Sequence, residues 1–130
     1  RDLWDIKLIP GGLIDLEFIA QVARLTGKVD TDARSTSTGA VLRHLDHDFA
    51  SAQISSELAD AYSLYLALTQ MIRLCLTGPF DRSDVPPGLA DLLLAATDLP
   101  DFGVLEAHLR ETSQKVRKRF NHLLGGKKKV

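Results

Sequence analysis

The sequence lacks the residues that mark several large classes of protein. It contains one cysteine, Cys75, so a framework of disulfide bonds is excluded. It has no cysteine pair with zinc spacing, no Walker pattern for phosphates and no Gly-x-Ser-x-Gly nucleophile motif. The chain by itself therefore shows no complete active site and no metal-binding motif.

Long apolar runs and an excess of one charge are also missing. The 16 basic and 17 acidic residues give a net charge of -1, so nucleic acid is not predicted as the main partner. No apolar run approaches the roughly 20 residues of a membrane span, and no signal-peptide pattern opens the chain, so no membrane contact is predicted. Cys75 lies in an apolar stretch and is predicted to be a core residue of a protein in a reducing compartment, by default the cytoplasm.

The residues that are present favour one folded domain. The 130 residues are 45% hydrophobic and 25% charged, which is enough to bury a real core. The chain begins at Arg1 and its only methionine is Met71. We therefore expect it to be part of a longer polypeptide, with any catalytic residues upstream.

Helical periodicity runs through most of the sequence and predicts an all-α bundle of about five helices around a central first helix. Helices are expected from about 12 to 25, from 37 or 38 through Phe49, from 55 or 56 to before Gly78, from 89 to 97 and from 102 to 124. Residues 1–9 alternate loosely, which predicts a short strand or an extended arm, and residues 1–11 are taken as an extended arm from a preceding domain. Residues 12–124 form the predicted bundle and 125–130 a basic tail.

The later helices are expected to pack around the stretch from Pro10 to Gln21. Gly11 and Gly12 free the backbone to turn and allow another backbone, a phosphate or a second domain to come close. The helix that follows is apolar around most of its circumference, so it is predicted to be central. Glu17 and Gln21 share one narrow polar strip of it.

Asp15 lies outside that strip, on the apolar side of the predicted helix. Two explanations stay open. The carboxylate either bonds free N–H groups of the first turn or faces a charged site outside this chain. Arg73 lies in a helix that is predicted to be buried, and a buried arginine needs a carboxylate partner, so we predict a structural ion pair with Asp15 or Glu17.

Two other groups of polar residues carry weaker signals. His44, His47 and Asp48 lie three and four apart on the predicted second helix, a spacing that suits a metal but is more typical of a solvated face. We therefore predict no metal site. The basic residues near the C-terminus, ending in Lys127 to Lys129, indicate either an ordinary frayed end or a docking site for an acidic partner.

Trp4-Asp5-Ile6-Lys7, followed by Pro10-Gly11-Gly12-Leu13-Ile14-Asp15-Leu16-Glu17-Phe18-Ile19-Ala20-Gln21, resembles the helical domain of glutamine synthetase adenylyltransferases. In that family each half has a nucleotidyltransferase domain followed by a helical domain that opens with Lys, Gly-Gly, Asp/Glu, Glu-Phe and Gln. The proline before the glycines and the Asp-x-Glu-Phe-Ile-Ala-Gln ending resemble the second, adenylylating half. Beyond residue 27 the resemblance lies mainly in the helical pattern.

The resemblance implies transfer of AMP from ATP to a tyrosine of glutamine synthetase, regulated by glutamine and the PII signal protein. It places the Gly-Ser and Asp-x-Asp residues that hold magnesium and nucleotide in the preceding nucleotidyltransferase domain, so the chain alone is predicted to be non-catalytic. The candidates for an interdomain or nucleotide-proximal role are Lys7, Gly11, Gly12, Asp15, Glu17 and Gln21. Two alternatives are a free-standing helical interaction module and the helical domain of the related PII uridylyltransferase, which resembles this motif less closely.

Overall fold

The computed structural model describes residues 2–30, 37–76 and 80–125. The described residues contain no β-strand, only an isolated antiparallel bridge between Val29 and Leu45. The predicted all-α fold of about five helices is confirmed. The helices are α1 (Leu13–Leu25), α2 (Thr38–Arg43), α3 (Ala52–Cys75), α4 (Pro87–Thr97) and α5 (Phe102–Phe120).

Helix α1 lies at the centre of the bundle and contacts α2, α3 and α5. Leu16, Ile19, Ala20 and Ala23 of this helix have no exposed surface, because neighbouring helices cover them from several sides. The central position predicted for the first helix is confirmed. The helix ends at Leu25 and the chain turns at a glycine with a φ of +70°, Gly27, which suits the left-handed conformation.

The N-terminal segment was predicted to be an extended arm, and this is wrong. It folds into successive turns, in which the N–H of Asp5 donates to the Asp2 carbonyl and the N–H groups of Leu8 and Ile9 donate to the Asp5 carbonyl. Trp4 is buried in the core with its neighbours Ile6 and Ile9. Burial of these three side chains favours a compact segment over an extended one, since an extended arm would leave them in water.

The second helix is shorter than expected. It ends at Arg43 instead of continuing to Phe49, and residues 44–46 pair instead with residues 28–30. The N–H of Asp30 donates to the His44 carbonyl at 3.0 Å and the N–H of Asp46 to the Lys28 carbonyl at 2.8 Å. These two backbone hydrogen bonds stop the helix because they use groups that its next turn would need.

Helix α3 begins at Ala52, before the predicted start at Ser55 or Ser56. Ser51 is the N-cap and accepts a hydrogen bond from the N–H of Ile54 at 3.2 Å. Ser55 is buried inside the helix, where its hydroxyl donates to the Leu42 carbonyl. Cys75, the last residue of α3, is exposed, so its predicted place in the core is wrong.

The last two helices follow the predicted positions closely. Pro87 is the first residue of α4, and Asp101 caps α5 by accepting from the N–H of Val104 at 2.9 Å. A short 3-10 turn, Arg82–Asp84, precedes α4, and five residues of π-helix, Asn121–Gly125, extend α5. Residues 31–36, 77–79 and 126–130 lie outside the described residues, so most of the connection between the first two predicted helices and of the basic tail stays a prediction.

Candidate functional site

Gly11 lies where α1, α3 and α5 meet. Its N–H donates to Oδ2 of Asp15 at 2.6 Å, and its carbonyl accepts from the hydroxyl of Tyr65 on α3 at 2.7 Å. Its φ is +83°, and a Cβ placed on it would lie 1.9 Å from the carbonyl oxygen of Ser113 on α5. Only glycine fits this position, both for its backbone angle and for the approach of α5.

Gly12 has a similar role on the other side of the chain. A Cβ on Gly12 would lie 2.1 Å from the carbonyl oxygen of Ile6, in the turned N-terminal segment. The N–H of Gly12 donates to the Ile9 carbonyl at 2.8 Å, and the N–H of Leu13 donates to the Ile6 carbonyl at 2.9 Å. The close neighbour that the glycine pair admits is therefore this chain's own backbone.

The carboxylate of Asp15 is partly buried and paired. Nη1 of Arg117 on α5 lies 2.9 Å from the same Oδ2 that accepts from Gly11. The Arg117 guanidinium also covers the Phe120 ring, 4.6 Å from its centroid. This pairing between α1 and α5 differs from both explanations drawn from the sequence, because the carboxylate reaches back to Gly11 and across to a neighbouring helix.

The Asp15 carboxylate also affects the tyrosine that binds Gly11. Burial raises the pKa of the Tyr65 phenol well above its ordinary value, and the negative charge of Asp15 raises it further. Tyr65 has no exposed surface. The phenol is therefore a neutral hydrogen-bond donor, held between two parts of the core, and is unsuited to act as a general base.

The other three motif residues have exposed side chains. Lys7 precedes the glycine pair, and Glu17 and Gln21 lie one turn apart on α1. Their exposure leaves them free to meet another surface, and their interdomain role stays a prediction. The apolar residues Ile14, Phe18 and Leu25 lie on the same side of α1 and are 41%, 51% and 76% exposed.

Arg73 does not pair with Asp15 or Glu17, so that prediction is wrong. The partner of Asp15 is Arg117, and Arg73 lies exposed in the last turn of α3. Within the described residues no ion pair of Arg73 is present. The error arose because Arg73 was expected to be as buried as the apolar residues beside it, whereas the inner face of α3 is fully buried only as far as Leu68.

A second buried carboxylate, Glu106 on α5, was missed by the sequence analysis. Its Oε2 accepts from Nε1 of Trp4 at 2.7 Å, and Arg82 binds both of its oxygens at 2.6 Å. Two rings flank the indole, with centroids 5.4 Å away for Phe102 and 4.6 Å away for Phe80. The available sequence signal was a carboxylate beside the apolar stripe of α5. Asp15 gives the same kind of signal on α1.

The electrostatics of Glu106 fit a permanent ion. The hydrogen bonds from Arg82 lower the pKa of this carboxyl, and the Trp4 N–H lowers it further, against the opposing effect of burial. The Trp4 hydrogen bond ties the turned N-terminal segment to the first turns of α5, and the ion pair ties the 3-10 turn that contains Arg82 to the same place. Its groups are committed to one another, which suits a structural role.

A groove between α3 and α5 contains a third ion pair. Glu57 and Arg119 lie 3.0 Å apart at its edge, with Lys115 on the α5 side and Asp60 on the α3 side. Burial alone would raise the pKa of Glu57, but hydrogen bonds from Arg119 and Gln53 outweigh it, so the pKa lies below its ordinary value. The pair joins the two helices that also hold Gly11.

His44, His47 and Asp48 do not share a helix in the structure, so the helical spacing that suits a metal is absent there. Helix α2 ends at Arg43, so His44, His47 and Asp48 follow the helix and are exposed. Across residues 2–30, 37–76 and 80–125 there is no group of three or more His, Cys, Asp or Glu side chains that could hold a metal ion. In the same ranges no helix has both the length and the apolar character that a bilayer crossing requires.

The arrangement around Gly11 is a packing junction whose polar groups satisfy one another, with an exposed face of α1 beside it. The family model described as GlnD PII-uridylyltransferase matches residues 3–124. The chain belongs to this family. The match spans the turned N-terminal segment, the glycine pair and all five helices, so the similarity covers the whole bundle and not only the opening motif.

Individual relatives agree with the resemblance found in the sequence. The chain is 71% identical over 124 residues to a protein of Mesorhizobium japonicum named bifunctional glutamine synthetase adenylyltransferase/adenylyl-removing enzyme, covering 95% of this chain. Proteins with the same name from Brucella suis and Rhizobium meliloti are 44% and 42% identical over 125 and 123 residues, or 96% and 92% of this chain. The resemblance to glutamine synthetase adenylyltransferase is confirmed, and it extends well beyond residue 27.

The chain spans only 13% of the length of the Mesorhizobium and Brucella relatives and 12% of the Rhizobium relative. No solved structure matches the chain. The family model carries the name of the uridylyltransferase, whereas these relatives carry the name of the adenylyltransferase.

Proposed function

We propose that this chain is the helical domain of an enzyme that adenylylates and deadenylylates glutamine synthetase. The observation that carries the proposal is the 71% identity over 124 residues to a relative of that name. In this proposal the domain follows a nucleotidyltransferase domain of the same polypeptide, in the adenylylating half. It supports the transfer of AMP from ATP to a tyrosine of glutamine synthetase.

The proposed division of labour places the chemistry in the preceding domain. By the resemblance, ATP and magnesium belong to that domain, and no chemical step is assigned to this chain. The wider proposal includes control by glutamine and the PII signal protein, and a cytoplasmic location. Both follow from the resemblance.

Within this chain, Glu17 and Gln21 are proposed to face the nucleotidyltransferase domain, with Lys7 at the start of the motif. All three side chains are exposed, which supports a contact outside the bundle. Gly11, Gly12 and Asp15 act indirectly. Gly11 and Asp15 set the position of α1 through Tyr65 and Arg117, and Gly12 does so through the N-terminal segment, so that the polar residues are presented by a rigid helix.

The test is Glu17→Ala in the longer polypeptide that carries this chain. Incorporation of AMP into glutamine synthetase should fall, while the melting temperature stays unchanged because Glu17 is exposed. Glu111→Ala provides the matched control, since Glu111 is an exposed glutamate on α5, outside the motif. Equal activity of the two variants would contradict the proposed role of Glu17.

A second candidate is the helical domain of a PII uridylyltransferase, because the matching family model carries that name. The same purified polypeptide separates the two candidates. Transfer of labelled AMP to glutamine synthetase supports the first, and transfer of labelled UMP to the PII protein supports the second. A free-standing interaction module would transfer neither.

A further inference from the structure

Helix α1 has an exposed apolar stripe although it is the central helix of the bundle. Ile14, Phe18 and Leu25 are 41%, 51% and 76% exposed, and Leu8, just before the glycine pair, is 47% exposed. The three helical residues lie on one side of α1, and the stripe they form is about 17 Å long, at 1.5 Å per residue. The opposite side of the same helix has no exposed surface.

We propose that this stripe, Leu8, Ile14, Phe18 and Leu25, is the docking surface for another domain of the same polypeptide. The inference rests on the proposed function, since it takes the chain to be one domain of a longer enzyme. It adds that the contact is formed mainly by apolar side chains. The polar side chains of Glu17 and Gln21 form its border.

The composition of this face fits a contact between domains. Gln21, Glu17 and Arg24 all lie along one side of the stripe. Interfaces between domains of one chain are more polar than obligate interfaces and combine an apolar centre with a polar border. If nothing covered the stripe, four large apolar side chains would stay exposed to water.

The size of the stripe favours a tethered occupant over a separate one. Four side chains exposed to this extent present on the order of 400 Å², at about 200 Å² for a fully exposed side chain. A stable complex of separate proteins buries about 800 Å² on each partner, so the stripe alone is too small to hold a second copy of the chain. A domain in the same polypeptide needs less area, because the tether has already removed most of its translational freedom.

The relatives are long enough to contain such a domain. The chain spans 13% of the length of the Mesorhizobium relative, so most of that polypeptide lies outside the matched region. The stripe is also held rigidly on this side of the bundle. Phe18 packs near the Phe120 ring, with centroids 6.0 Å apart, and Arg117 covers the same ring while it binds Asp15. A rigid surface loses little entropy on binding.

Hydroxyl-radical footprinting tests the proposal by comparing this 130-residue chain with the longer polypeptide that carries it. Phe18 and Leu25 should be labelled severalfold more slowly in the longer polypeptide. Two matched controls lie on other helices: Leu74 of α3, 79% exposed, corresponds to Leu25, and Leu92 of α4, 45% exposed, corresponds to Ile14. Their labelling should change little.

Three outcomes would overturn the proposal. Equal labelling of Phe18 in the two polypeptides would show that no other domain covers the stripe. Equal protection of Leu74, Leu92 and the stripe would show contact without preference for this face. Labelling of Phe18 that falls as the 130-residue chain is concentrated would identify a second copy as the occupant.

A variant confirms that the apolar contact forms the interface. Leu25→Glu in the longer polypeptide should restore labelling of Ile14 and Phe18 to the rate in the isolated chain, and Leu74→Glu should not. Both leucines are more than three-quarters exposed, so neither change should unfold the bundle. Footprinting involves no enzymatic step. If the stripe is protected but no AMP is transferred, this inference stands and the proposed function is contradicted. If AMP is transferred but the stripe is labelled equally in both polypeptides, the proposed function stands and this inference is contradicted.

Discussion

The hydroxyl of Tyr65 donates a hydrogen bond to the carbonyl of Gly11 across 54 residues of sequence, at 2.7 Å. Removing this hydroxyl leaves a buried carbonyl without that donor, so Tyr65→Phe should lower the free energy of unfolding by about 1–3 kcal/mol. Urea denaturation followed by circular dichroism measures the change. Tyr62→Phe is the matched control, because within the described ranges the Tyr62 hydroxyl makes no hydrogen bond, and it should cost much less.

The same tyrosine should give stability a dependence on alkaline pH. Burial, assisted by the charge of Asp15, raises the pKa of Tyr65 in the folded chain above the value of about 10 expected in the unfolded chain. Above that pH the unfolded state loses its proton first, so stability falls as pH rises towards the folded pKa. The Tyr65→Phe variant lacks this contribution. The difference in unfolding free energy between wild type and this variant should therefore shrink above about pH 10, and a constant difference would contradict the assignment.

Gly11 should tolerate no side chain. Gly11→Ala combines a φ of +83° with a Cβ that would lie 1.9 Å from the Ser113 carbonyl oxygen, and we expect a loss of at least about 3 kcal/mol. Gly27→Ala separates the two effects, because Gly27 has a φ of +70° and open space around it. It should cost about 1 kcal/mol. Similar losses at both positions in thermal unfolding would show that α5 does not pack on Gly11.

The ion pair between Asp15 and Arg117 should stabilise the chain modestly. The Arg117 side chain is 42% exposed, so solvent weakens the attraction, and a double-mutant cycle with Asp15→Asn and Arg117→Ala should give a coupling of about 1 kcal/mol. Asp15→Ala should cost more than Asp15→Asn, because Ala also removes the acceptor for the Gly11 N–H. Urea denaturation at low salt measures all of these changes.

Arg73→Ala is the control for that cycle. Arg73 is exposed and makes no ion pair with any residue that the structure describes, so its removal should change stability by less than about 0.5 kcal/mol. No coupling with Asp15 is expected. A coupling as large as that of Arg117 would restore the ion pair first predicted from the sequence.

Periodicity was sufficient to predict the number of helices and the central place of α1, because both depend on which residues are apolar and at what spacing. Asp101 and Gly27 are residue types that favour an N-cap and a left-handed turn, so both features are explained by local chemistry. The end of α2 was not predictable in this way. It depends on backbone hydrogen bonds that join residues 28–30 to residues 44–46, which lie far apart in sequence, and no local pattern encodes them.

The same limit applies to the candidate site. The glycine pair and the misplaced Asp15 were visible as departures from the helical pattern, but their partners Tyr65, Ser113 and Arg117 come from α3 and α5. Side chains brought together by tertiary packing cannot be paired from one sequence. The choice of Arg73 failed because it is exposed and also because several arginines were available, among which only the fold selects.

Glu106 should make folding sensitive to acid. Its pKa is lowered in the folded chain by the hydrogen bonds from Arg82, with a further contribution from Trp4, so the stabilisation is complete above the unfolded pKa of about 4.3. It is lost as pH falls through the lower folded value, because the folded state must then be protonated.

Glu106→Gln removes this dependence and should cost about 2 kcal/mol at neutral pH. Below about pH 4 the two stabilities should converge. Thermal melts across about pH 3 to 7, followed by Trp4 fluorescence, measure the cost at neutral pH and its decrease in acid. A difference in stability that stays constant down to about pH 3 would show that Glu106 is not held as an ion by Arg82.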